Sequence, residues 1–328
     1  LLRLAARAHL LPVLEAGEET LVGGQAVVEG VMMRTPHAYA IAVRKPDGQV
    51  VVDSRPLPRL SEQYPVFKWP VLRGIGTLGH SMALGVRALN YSTDIAMQAE
   101  AEKQGVVATP GKKAGEIPAW AMAGSLILSL LFFLGAFKFV PLLITNQMQP
   151  HWAPLNNLII FNLVEGCIRM LILVAYMWVI SLWGDIRRVF EYHGAEHKVV
   201  FNFESGKPLT VENAQRFVTF HPRCGTSFLM VVLIVSVVVY SFFPVTGFLM
   251  KLLVRIAALP LIAGLSYEMI RWAARHRGGL LATLTAPGLW LQRITTQPPS
   301  DEQTEVAIIA LERAMEIERE HGGEMIIA

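Results

Sequence analysis

Four apolar runs leave this chain few folds to choose from. Residues 119–144 (AWAMAGSLILSLLFFLGAFKFVPLLI) and 155–183 (LNNLIIFNLVEGCIRMLILVAYMWVISLW) form one pair, and 226–249 and 251–273 form a second, joined tightly near Pro244 and Gly247. A helix needs about 20 apolar residues to cross a bilayer core, and each run is long enough. Composition agrees, with 53% of the 328 residues hydrophobic, 17% charged and a mean hydropathy of +0.42. Ordinary soluble proteins are less apolar. The expected fold class is a mainly α-helical polytopic membrane protein of about four transmembrane helices, with a small N-terminal β-rich cytoplasmic segment.

The flanking segments divide by pattern. Residues 1–18 scatter arginines through LLRLAARAHLLPVL with no clean apolar centre, which predicts an amphipathic surface helix rather than a signal peptide. Residues 19–65 read as β-rich: GGQAVVEGVMMR is bounded by glycines, and AYAIAVRKPDGQVVVDSRPLP alternates about a Pro46-Asp47-Gly48 turn. Residues 66–98 intersperse Lys68, Arg73 and Arg87 with apolar and small residues and read as an interfacial or re-entrant helix. The polar, Gly- and Lys-rich 99–117 reads as a linker. Residues 118–183 and 226–273 hold the two transmembrane pairs, and 184–225 is the loop between them. In the C-terminal segment, 274–328, residues 300–320 predict an amphipathic helix opening at Ser300.

Charge sets the orientation. The loop 145–154 has no Lys or Arg, whereas 184–225 carries Arg187, Arg188, Lys198, Lys207, Arg216 and Arg223. The positive-inside rule therefore puts 184–225 and both termini in the cytoplasm; Lys251 and Arg255 run against the scheme. The net charge of +3 and the lack of a long basic run argue against sequence-specific nucleic-acid binding. The two cysteines, Cys167 in an apolar run and Cys224 in a polar loop, do not make a disulfide framework.

The 184–225 loop also holds the chemistry. In EYHGAEHKVV, His193 and His197 stand four residues apart and bracket Glu196, the H-x-x-E-H order of an inverted zinc-protease motif. On a helix continuing from the second span they would share one face, although Gly194 weakens that helix. Such a pair can hold one divalent metal, with Glu196 placed to take a proton from an activated water. HPRCGTS adds His221 and Cys224. Imidazole and thiolate donors favour zinc over magnesium or calcium. Three ligands would leave an open, catalytic site; four would close it into a structural one. Glu191 and Glu204 read as solvated carboxylates.

Two other features compete for attention. Glu165 and Arg169 sit at i and i+4 in the second apolar run, and Glu268 and Arg271 near the end of the fourth. They read as structural ion pairs, with a polar cavity leading to the metal site as the functional alternative; Lys138 reads as a snorkelling side chain. The G-x-G-x-x-G of Gly74, Gly76 and Gly79 lacks a preceding strand and is set aside as a dinucleotide motif.

Together GGQAVVEGVMMR, EYHGAEHKVV, HPRCGTSF, SYEMIRWA and APGLWLQRITTQPPSDEQTEVAI resemble the YqhQ-like family of bacterial proteins, a group of unknown function predicted to be metal-dependent enzymes. The resemblance runs from about residue 20 to about 315 and implies a multi-pass protein of the bacterial inner membrane with a metal site. Two functions follow. In the first, His193, His197 and His221 hold zinc and Glu196 is the general base of a hydrolase acting at the membrane surface. In the second, zinc including Cys224 clamps a non-enzymatic scaffold for a large cytoplasmic or membrane partner, such as a ribosome or protein-insertion machinery. Membrane lipids are expected partners under either, and oligomers are allowed. Four spans without inverted repeats disfavour a transporter.

Overall fold

In the β-rich segment, apolar residues occupy both faces of the central strands, and both faces are covered. The computed structural model describes residues 22–58, 63–103, 119–221, 224–275 and 288–320. Strands β1 (Gly23–Val27), β2 (Gly30–Arg34), β3 (Ala38–Arg44) and β4 (Val50–Pro56) form an antiparallel meander in sequence order. Gly48, at φ +87°, closes the β3–β4 turn, with its N–H donating to the Lys45 carbonyl at 2.9 Å. Because side chains alternate, Val31 and Met33 point to one layer and Met32 to the other. Helix α1 (Leu72–Lys103) covers the second layer through Leu84 and Ala88.

The predicted helix over 66–98 is thus α1, shifted towards the C-terminus. It takes in 99–103, the start of the expected linker. The rest of that linker and the helix expected at 1–18 lie outside the described residues.

The apolar runs form fewer full spans than expected. Helix α2 (Ala119–Leu134) passes through a π turn, Gly135–Phe139, into α3 (Val140–Met148). The stretch Ala123–His151 and helix α4 (Leu158–Ile180) are long and apolar enough to cross a membrane. Asn157 caps α4, its side-chain oxygen accepting the Ile159 and Ile160 N–H groups at 3.0 and 3.2 Å.

After α4 the chain turns at Ser181–Trp183 and starts a separate helix, α5 (Gly184–Glu204), so α5 does not continue the second apolar helix as expected. The expected 184–225 loop is largely this helix and the short α6 (Val211–Gln215).

The third run is a shorter helix, α7 (Gly225–Ser241), of 17 residues or about 26 Å at 1.5 Å per residue. It stops short of Pro244, which cannot donate to a continuing helix. The fourth is a pair, α8 (Phe248–Ala257) and α9 (Leu259–Arg275), bent by 48° beside Pro260. Among the described residues two helices therefore pass the test for a span, or three if the bent pair counts as one.

Helix α10 (Asp301–Glu320) completes the fold against the sheet. Its capping box is reciprocal: Ser300 Oγ accepts the Gln303 N–H at 3.2 Å, and Gln303 Oε1 accepts the Ser300 N–H at 2.9 Å. Val306, Ala307, Ala310 and Leu311 bury with Val31, Met33 and Ala42 of the sheet and Tyr192, Ala195 and Val199 of α5. This shared core packs α5 against the sheet and α10.

Candidate metal centre

Along α5, residues 194–202 are all buried, which is unusual for a segment carrying Glu196, His197 and Lys198. The sequence allows it through Gly194. A Cβ there would stand 2.1 Å from the Gln297 carbonyl oxygen, so only glycine lets the 295–297 backbone cross the helix this closely. The Gln297 N–H donates to the Phe190 carbonyl at 2.9 Å, fixing the crossing. Gly194 is a helical residue in contact with another backbone, not a helix breaker.

The crossing sets the imidazoles. His193 Nδ1 lies 2.8 Å from the Thr295 carbonyl oxygen, and His197 Nδ1 is bonded to the Thr219 carbonyl oxygen. A carbonyl only accepts, so each Nδ1 carries the proton and each Nε2 presents a lone pair. This is the outer-shell arrangement that orients metal-ligating histidines.

Cys224 stands just ahead of α7, with Sγ 3.3 Å from His193 Nε2 and accepting from Thr226 Oγ1 at 3.4 Å. Ligand atoms of His193, His197 and Cys224 all lie within 4.8 Å of one another. Two nitrogens and a thiol sulfur at that separation could hold one divalent transition metal. Glu196 Oε2 lies 3.8 Å from His193 Nε2 and 3.7 Å from His197 Nε2. Gly24 of β1 backs it, since a Cβ there would come within 2.8 Å of Glu196 Cγ.

His221 is beside this group and not in it. Its ring centre is 5.6 Å from that of His197 and 4.5 Å from that of Phe201, and its Nε2 is 3.7 Å from Glu204 Oε2. Burial pushes its pKa down to about 4; the Glu196 charge opposes this and His193 adds to it. His221 is therefore neutral at physiological pH. Gln292 pins its backbone, accepting the His221 N–H at 2.7 Å and donating to the His221 carbonyl at 2.8 Å.

The remaining candidates are elsewhere. Glu191 accepts from Gln303 Nε2 at 2.9 Å on α10. Glu268 does not reach the metal centre: it binds the Arg73 guanidinium and accepts the Val71 N–H at 3.3 Å, joining α9 to the start of α1, with Arg271 alongside. Glu165 and Arg169 pair as expected, and Arg255 joins them. Lys138 does not snorkel. It is buried and donates to Tyr240 Oη at 3.2 Å.

Sequence reasoning missed Gln292 and the carbonyls of Thr219 and Thr295. A backbone acceptor has no sequence signature, and the one hint was the position of Gly194 between two histidines.

The comparisons with known proteins agree on kinship. The chain is 35% identical over 297 residues to the "Uncharacterized protein YqhQ" of Bacillus subtilis (strain 168), covering 90% of this chain and 92% of that protein. No solved structure matches. The family model described as "Protein of unknown function (DUF1385)" matches residues 69–317, which include all three candidate ligands and Glu196. The chain belongs to the DUF1385 family.

Proposed function

We propose that this is a multi-pass protein of the bacterial inner membrane with zinc at His193, His197 and Cys224 on its cytoplasmic face, and that it hydrolyses a substrate presented at that surface. One observation carries the reading: both histidines have Nδ1 bonded to a backbone carbonyl, which leaves Nε2 of each as the ligand atom, and His193 Nε2 is 3.3 Å from the Cys224 thiol. Exposed apolar side chains on α2 and α4, such as Leu128, Leu131, Leu163 and Leu171, support the membrane setting. The cations of 184–225 support the orientation.

His193, His197 and Cys224 would hold the zinc, which would supply a Lewis acid able to activate water at neutral pH. The chain's own contribution is proton handling and exclusion of solvent. Glu196 Oε2, under 4 Å from both Nε2 atoms, accepts the proton as general base. Burial of Glu196 and His197 keeps bulk water away.

Elemental analysis of detergent-purified protein, without added metal, tests the centre; about one zinc per chain is expected, and no stoichiometric metal would sink the reading. Replacing Glu196 by Gln should leave zinc in place and lower hydrolysis of peptide or lipid-linked substrates by about 10²–10⁴-fold.

A second reading rests on a separate observation. The candidate ligands come from α5 and from Cys224 at the head of α7, and a metal there would clamp the two, with the Thr219 and Thr295 carbonyls held through the histidines' Nδ1. Under this scaffold reading Glu196→Gln is silent, Cys224→Ser destabilises the protein, and crosslinking recovers a large partner.

A further inference from the structure

A second concentration of charge lies where the apolar helices meet. Residues 119–148, 158–180, 225–241 and 248–257 contain one acid, Glu165, against Lys138, Arg169, Lys251 and Arg255. Glu165 is fully buried, and Lys138, Arg169 and Arg255 are 4%, 9% and 3% exposed. Both guanidiniums use the same carboxylate: Arg169 binds Oε1, and Arg255 Nε donates to Oε2 at 2.7 Å. Neutral groups take the next donors, with Arg169 Nη1 on Ser236 Oγ and Arg255 Nη2 on Asn162 Oδ1, each at 3.0 Å.

Three cations surround one ring. The Arg255 and Arg169 guanidinium carbons are 4.9 and 5.8 Å from the centre of Tyr240, and Lys138 Nζ is 5.8 Å from it. Lys138 has no carboxylate within ion-pair distance among the described residues; its bond is to Tyr240 Oη at 3.2 Å. The Arg169 Nε–H is buried and has no partner. The π turn Gly135–Phe139, which carries Lys138, precedes Pro141. Charges this close in a low-dielectric interior repel strongly, and one carboxylate offsets one of three. A buried donor without an acceptor adds to the cost.

We propose that Lys138, Arg169 and Arg255 bind one small monovalent anion of halide size beside Tyr240. The anion fills the open Arg169 Nε donor and the further donors of the Lys138 ammonium. At Gly166, three residues before Arg169, a Cβ would stand 3.2 Å from Val237 Cγ2, so α4 and α7 are in close contact there, and a monatomic ion asks for less room than a polyatomic one.

The test uses the full chain purified in detergent. Thermal unfolding is compared in chloride and in gluconate at equal ionic strength, and bound radiolabelled chloride is counted by equilibrium dialysis. Expected are a saturable rise in Tm of about 2–5 °C in chloride and about one chloride per chain, displaced by bromide. Folded Lys138→Met should lose both effects. Equal Tm in the two salts with no saturable chloride overturns the proposal and leaves Lys138 uncharged in its bundle. Chloride binding that persists in folded Lys138→Met overturns the assignment to these residues. Should that variant not fold, anomalous scattering from bromide in wild-type crystals decides: a peak beside Lys138 Nζ and Arg169 Nε supports the site, and a peak elsewhere or none overturns it.

Discussion

Gly194 shows how one residue can set a site it does not belong to. It lies between the candidate ligands, offers no ligand atom of its own, and admits the backbone whose Thr295 carbonyl orients His193. Gly194→Ala places a methyl 2.1 Å from the Gln297 oxygen, and moving either backbone releases that carbonyl. The expected outcome is a loss of about 1–3 kcal/mol of stability, seen in thermal unfolding, together with lower zinc content. A variant with wild-type Tm and zinc would show that the crossing does not hold the site. Cys224→Ser tests the ligand set directly: a hydroxyl is a poorer zinc donor than a thiolate, so zinc should fall below one per chain. Retained stoichiometric zinc would exclude Cys224 as a required ligand.

Between elements, one polar seam joins α10 to the loop before β3. Glu318 accepts from Thr35 Oγ1 and the His37 N–H, each at 2.7 Å, and its Oε1 is 2.8 Å from His37 Nδ1. Burial pushes its pKa up, but the bonds from His37 and Thr35 outweigh this and hold the carboxyl below its ordinary range. A depressed folded pKa stabilises the protein above the unfolded value, about 4.5, and that stability is lost as pH falls through the folded pKa. Glu318→Gln should therefore cost about 1–3 kcal/mol near neutral pH and flatten the acid limb of stability against pH. An unchanged acid limb in denaturant titrations would show that Glu318 does not control it.

For the whole molecule, a metal at α5 and Cys224 would tie the sheet domain to the head of α7. Ligand binding to the folded state alone stabilises it by about 4 kcal/mol at a thousand times Kd. Stripping zinc with a chelator should then lower Tm by about 5–10 °C, and returning zinc should restore it. A Tm indifferent to chelation, in protein shown to contain zinc, would confine the metal to chemistry and remove the clamp.

Much of this was legible along the chain because the signals are local. Apolar runs announce helices through length and hydropathy, the Pro46-Asp47-Gly48 turn announces its hairpin, and Ser300 followed by acids announces a helix start. His193, Glu196 and His197 were visible as a set because a helix repeats every 3.6 residues. Tertiary structure decided the rest. Pro244 and Pro260 mark where two apolar runs stop or bend, an effect that hydropathy does not register. Arg255 ran against the charge scheme and Lys138 read as snorkelling until the helices packed them around Glu165 and Tyr240. Cys224, rather than His221, falls beside His193, with the His221 backbone held by Gln292 from a distant part of the chain. Such contacts depend on where distant backbones cross, and no periodicity along the chain encodes a crossing.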